Sequence, residues 1–183
     1  MLGFLPKNFI RFGQDRRGFS IIEVPIALYI IATGLIATIG LAGQTIQTQQ
    51  INNNMVIGSM LAQEGLELVR WQREYNYLNS FNWSNQITDG AEYNYTVYLD
   101  TGTDVISFDG TPNDIANPEA KLYLDSNGFY THDDTEGEST VFSRLITATK
   151  INEDAYGFKS QVRWHDRGRN FNYVAETVLY DWR

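Results

Sequence analysis

Glu23 is a carboxylate at the head of a long apolar run, "SIIEVPIALYIIATGLIATIGLAGQ". From residue 24 to residue 43 no formal charge follows it. An unpaired carboxylate at bilayer depth costs roughly 3 kcal/mol or more, so an ionisable group in such a segment points to function and to a partner. The alternative is a carboxylate at a helix N-terminus, stabilised by the dipole alone.

Other chemistry-bearing residues are sparse. His132 and His165 have no nucleophile or ligand partner at recognisable spacing, and His165-Asp166 precedes a turn, as a solvated histidine would. Residues 132–138, His-Asp-Asp-Thr-Glu-Gly-Glu, offer carboxylates to calcium, but without the ordered spacing of a calcium loop; a solvated charge run is the expectation. There is no phosphate-binding glycine loop, zinc motif or GxSxG. The chain has no cysteine, hence no disulfide and no thiolate metal site. No catalytic residue, cofactor or metal is therefore expected. Trp83, Tyr93, Tyr95, Tyr98, Tyr123 and Tyr130 are expected mostly in the core.

Charge and length say what must position Glu23. Residues 1–18 carry Lys7, Arg11, Arg16 and Arg17 against Asp15, a balance of +3, which leaves −11 for the rest of a chain of net charge −8. An acidic body argues against a nucleic-acid partner. Residues 24–43 span about 30 Å as a helix, one hydrocarbon core. The basic flank precedes them, so the positive-inside rule places residues 1–18 in the cytoplasm and the remainder across the membrane. A secretory signal would have a shorter apolar region; Ala37, Gly40 and Ala42 imitate its cleavage site, but the run continues as helix. A plain signal anchor accounts for the length and the arginines and leaves Glu23 unexplained.

Arg16 to Val24, Arg-Arg-Gly-Phe-Ser-Ile-Ile-Glu-Val, resembles the type III signal of type IV prepilins and pseudopilins. The resemblance covers about residues 16–45; the closing segment "VRWHDRGRNFNYVAETVLYDWR" is more weakly similar to the last hairpin of minor pilins. It implies cleavage after Gly18 by a membrane prepilin peptidase, and N-methylation of the new first residue, Phe19. It also implies that Glu23 pairs with the N-terminal amine of a neighbouring subunit, setting register in the fibre. Removing one partner of such a pair strands the other. Pro25 departs from the family pattern; it cannot donate to the carbonyl of Ile21, which predicts a loosened or bent first turn. Gly34, Gly40 and Gly43 suit close packing of neighbouring helices, with a stretchable helix as the alternative.

Beyond the run, apolar period continues the helix to residue 78. A major stripe holds Ile46, Ile57, Met60, Leu61, Leu68, Trp71, Tyr75 and Leu78; a weaker one on the opposite side holds Ile51, Met55, Ala62, Leu66 and Val69. One face is expected to pack on the chain's own globular part and the other to meet other subunits. Glu64, within the major stripe, should find donors in the head or a loop. After residue 79 the pattern becomes that of strands: 92–100 with Tyr93, Tyr95, Val97 and Leu99 on the single buried face, a short strand near 105–108, a hairpin over 121–131 turning at Asn127-Gly128, then 139–152, 157–165 and 170–182. Residues 101–120 read as a Gly-, Asp- and Pro-rich insertion.

The expected fold is α+β, a long N-terminal helix on an antiparallel head, the pilin architecture. Its expected segments are a leader (1–18), a transmembrane half-helix (19–43), an amphipathic half-helix (44–80) and a β-rich head (81–183). The resemblance implies a non-enzymatic minor pilin-like subunit of a type IV pilus, anchored once in the cytoplasmic membrane with its head outside and later on the cell surface. Its partners would be the prepilin peptidase, other subunits, the assembly platform and, before assembly, lipid. The alternatives are a pseudopilin of a secretion or DNA-uptake machine, and a membrane-anchored binding domain or enzyme.

Overall fold

The computed structural model describes residues 18, 20–103, 105–135 and 137–182. One long helix, α1, runs from Glu23 to Leu78. Its start is set by Pro25. The first N–H groups of a helix have no acceptor inside it, so a proline in the first turn costs no helical hydrogen bond. With Glu23 as first helical residue, Pro25 falls in that turn, and residues 21–22 form a turn closed by Glu23 N–H donating to Ser20 O at 3.0 Å. The expected loosened or bent first turn takes the form of a non-helical turn at residues 21–22, and Glu23 opens α1.

The chain divides into two units between Gln47 and Thr48. In the first, every described residue is exposed. In the second, α1 packs through Gly58, Leu61, Ala62, Gly65, Leu66, Val69, Gln72, Asn76 and Tyr77. Two glycines set how closely it lies on the sheet. A Cβ on Gly58 would stand 2.7 Å from the Trp164 ring, and one on Gly65 2.7 Å from Ser160 Oγ and 2.9 Å from Ile146 Cδ1.

The packing face cuts across both stripes. Leu61 of the major stripe and Ala62, Leu66 and Val69 of the weaker one are buried, whereas Met60, Trp71 (48% exposed), Tyr75 and Leu78 (84% exposed) of the major stripe and Met55 of the weaker one face away. Apolar count is a poor guide here because small and hydrogen-bonded residues build the buried face. Gln72 Nε2 donates to Asn76 Oδ1 and Gln86 Oε1, and Asn76 Nδ2 to the carbonyls of Trp83 and Asn85, tying the 79–90 loop to the helix.

The helix ends in a turn where Phe81 N–H reaches Asn76 O (2.9 Å) and Ser80 N–H reaches Tyr77 O, with Ser80 in the left-handed region at φ 60°.

The sheet is antiparallel and centred on β5 (Gly137–Asn152). One edge of β5 pairs β6 (Ala155–Asp166), which pairs β7 (Arg169–Tyr180). The other edge takes β1 (Glu92–Asp100) and β3 (Lys121–Asp125) in turn; β2 (Val105–Asp109) extends β1 and β4 (Tyr130–Thr131) extends β3. Each expected strand is present, with the 121–131 hairpin turning at Gly128 (φ 87°). Leu66, Val69, Tyr95, Val97, Ile146 and Phe158 build one part of the core; Leu61, Leu122, Phe142, Val162 and Trp164 build the other.

Two strand expectations change. β1 is not buried on one face alone: Thr96 is as buried as Tyr95 and Val97, its hydroxyl bonded to Asp109 O. The 101–120 insertion explains this. It folds back as β2 and a short 3₁₀ helix, Pro118–Ala120, and buries Ile115 and Ala120.

Candidate functional site

Glu23 is exposed in the first turn of α1, where unpaired N–H groups and the dipole favour a negative charge. Gly18 is exposed, and nothing lies within 4 Å of where its Cβ would be. Phe19 and the basic leader, residues 1–17, lie outside the described residues.

C-terminal to Glu23, the helix presents an apolar surface on all sides. Ile26, Leu28, Tyr29, Ile30, Ile31, Leu35, Ile36, Ile39 and Leu41 are all exposed. By length and composition α1 can cross a membrane, and none of the apolar stretch that qualifies it is buried within the chain. Three of its threonine hydroxyls are satisfied within the helix: Thr33 donates to Ile30 O (2.9 Å), Thr38 to Gly34 O (2.8 Å) and Thr45 to Leu41 O (2.9 Å). Backbone and hydroxyl groups satisfied within the helix are what an apolar solvent requires, because nothing there replaces water as a partner. Gly34, Gly40 and Gly43 have no atom within 4 Å of their Cβ positions, so the chain itself does not use their small size.

In the second unit, Glu64 has the head donor expected of it, Arg144. The guanidinium is fully buried (0% exposed); Nη1 donates to Glu64 Oε1 (3.0 Å) and Leu61 O (3.1 Å), and Nη2 to Val97 O (2.6 Å). One side chain on β5 therefore joins α1 to β1. The sequence reading missed Arg144. Its signal is its phase: it alternates with Phe142, Ile146 and Ala148 on a buried face.

The histidines differ from each other. His165 is exposed, with Nδ1 2.8 Å from Asn170 Oδ1. His132 is half-buried; Nδ1 lies 3.0 Å from Lys121 O, while Nε2 is out of water and has no hydrogen-bond partner among the described residues. A carbonyl only accepts, so Nδ1 carries the proton. Desolvation, aided by the Arg144 charge, pushes the His132 pKa down to about 3. His132 is therefore a neutral structural residue, not part of a solvated charge run. In the loop beyond it, Asp133 Oδ1 is taken by the N–H and hydroxyl of Thr135. Among the described residues, no three His, Asp or Glu side chains are grouped to hold a metal ion; Glu136 lies outside them.

No protein-family model, curated protein or solved structure matches this chain.

Proposed function

We propose that this chain is the precursor of a structural subunit, minor-pilin-like, of a type IV pilus or related pseudopilus. The peptidase cuts between Gly18 and Phe19, and Phe19 is then N-methylated. The observation that carries the reading is a single charge, Glu23, at the head of a helical run, residues 24–43, that holds no other charge and is exposed on all sides. Such a surface needs a cover along its length. Lipid supplies one before assembly, and the apolar helices of other subunits supply one afterwards. In that second setting Glu23 has no water, and a neighbour's Phe19 amine is a cation of the right sign to neutralise it.

A subunit of this kind is built to specialise through its head, which is why a minor role is favoured over the principal one. The test is a pair of substitutions read in cells that hold the peptidase. Gly18→Glu blocks cleavage, and Glu23→Ala leaves cleavage largely intact while depleting the protein from sheared fibres. Normal incorporation of Glu23→Ala contradicts charge pairing, and continued processing of Gly18→Glu moves the cut elsewhere.

A further inference from the structure

The β6–β7 hairpin leaves one strand edge open. Arg167 and Gly168 link the strands in two residues, both at positive φ (48° and 79°), with Asp166 opposite Arg169. In a two-residue turn of this kind the flanking pair exchanges both main-chain hydrogen bonds, and every second pair beyond it does the same. Odd-numbered residues of β7 therefore bond to β6, and even-numbered ones turn their N–H and C=O away from it. Two contacts agree. Asp181 N–H, an odd one, continues the inner ladder to Asp154 O at 2.8 Å. The carbonyl of Tyr180, an even one, is reached by the Tyr77 hydroxyl instead, at 3.4 Å. Among the described residues no strand pairs with this outer edge. Asn172, Val174, Glu176 and Val178 thus present main-chain donors and acceptors over about 20 Å.

A long bare edge is normally blunted by proline, lysine or a bulge. β7 has neither proline nor lysine, and its register against β6 runs unbroken from Arg169 to Tyr180. Beside the edge lies a groove of about 590 Å³ between β7 and α1. Met60 and Leu66 of α1 give it apolar surface, and Ala175 opens it, a short side chain between Tyr173 and Thr177 on the same face of β7. Glu64, Glu67 and Glu176 line it against one guanidinium, Arg70. Arg144 compensates Glu64 from the core, and Lys159 stands opposite Glu176 on β6, outside the groove. An incoming chain therefore meets more negative charge than positive. A second copy pairing through its own β7 would bring the same carboxylates, like charge to like. Every residue of this site belongs to the second unit.

We propose that the β7 edge takes up an extended strand of another protein, one that carries apolar side chains together with lysine or arginine. The main chain of that strand completes the ladder at Val174 and Glu176. Its apolar side chains fill the groove beside Met60 and Leu66, and its cations face the carboxylates at the rim.

The full chain is kept in non-ionic detergent, and the probe is a fluorescent, end-capped nonapeptide of alternating valine and lysine. Its anisotropy rises on binding. The same peptide N-methylated throughout has no main-chain donors and binds about 10-fold or more weakly, as does a peptide with glutamate for lysine. Val174→Pro removes a donor that points away from β6, so it weakens binding of the probe by about 10-fold or more. Its thermal unfolding moves less than that of Ala175→Pro, which breaks a bond to β6. No binding of the valine–lysine peptide, or equal binding by its N-methylated form or by Val174→Pro, overturns strand addition. Equal binding of the glutamate peptide overturns the basic partner. The chain has no cysteine of its own, so Val174→Cys chains that cross-link to one another without probe overturn the foreign strand in favour of a second copy.

Discussion

Three side chains carry most of the account. Glu23 was legible at once, because a charge against an apolar background is the loudest signal a sequence offers. Its position relative to the helix start was not legible, because that depends on where Pro25 can be accommodated without losing a hydrogen bond. Arg144 was missed because its partners, Leu61 O, Glu64 and Val97 O, are far away in sequence. Its charge is the buried one of the pair; Glu64 keeps 43% of its side chain exposed. Glu64→Ala should therefore strand a buried cation and cost about 1–3 kcal/mol. Arg144→Met removes the charge and should cost no more than that. Denaturant titration of both variants checks the order; a much larger loss for Arg144→Met would show that the carbonyl bonds outweigh the ion pair.

His132 sets a pH dependence. Its pKa is 6.5 when unfolded and about 3 when folded, so between those values the unfolded chain binds the extra proton. Stability is complete above pH 6.5 and is lost as pH falls toward 3. With the ring half-buried, the fall from pH 6.5 to 4 should be about 1–3 kcal/mol. His132→Gln should flatten that slope in thermal unfolding measured across the range. Below pH 4 a further fall is expected from Asp125, whose pKa is lowered chiefly by the Phe129 N–H, and Asp133, whose pKa is lowered chiefly by the Thr135 hydroxyl.

The glycines of α1 separate its two halves at the scale of the element. Alanine is the better helix former by about 1 kcal/mol. Gly34→Ala meets nothing within 4 Å and should stabilise the isolated helix. Gly65→Ala meets Ser160 Oγ at 2.7 Å and Ile146 Cδ1 at 2.9 Å, so it should destabilise the head by about 1–3 kcal/mol in spite of its propensity. Thermal unfolding of the two variants should move in opposite directions. If Gly34→Ala folds well yet fails to enter fibres, neighbouring helices use that notch.

The strands were readable because alternation and turn residues are local properties; 92–100 and the Asn127-Gly128 hairpin sit where their residues put them. That the packing face of α1 cuts across both stripes was not readable. Glycine at 58 and 65 adds almost nothing to an apolar pattern, and Gln72 and Asn76 subtract from it. Yet close approach and satisfied amides are what bury that face.

For the whole molecule, the second unit closes on itself. Tyr77 Oη accepts from Trp182 N–H (3.1 Å) and lies 3.0 Å from Asp181 Oδ1. Trp182 stacks on Tyr77, with the Arg73 guanidinium 4.2 Å from its ring centroid. The first unit does the opposite: its described apolar surface is exposed, with Glu23 opening the helix. The central claim is that its cover is first lipid and then a fibre, and that the switch follows a cut between Gly18 and Phe19. Mass spectrometry of the N-terminus in fibres sheared from cells tests it most directly. A methylated Phe19 as first residue is the expected result; an intact Met1, in cells with active peptidase, would contradict it.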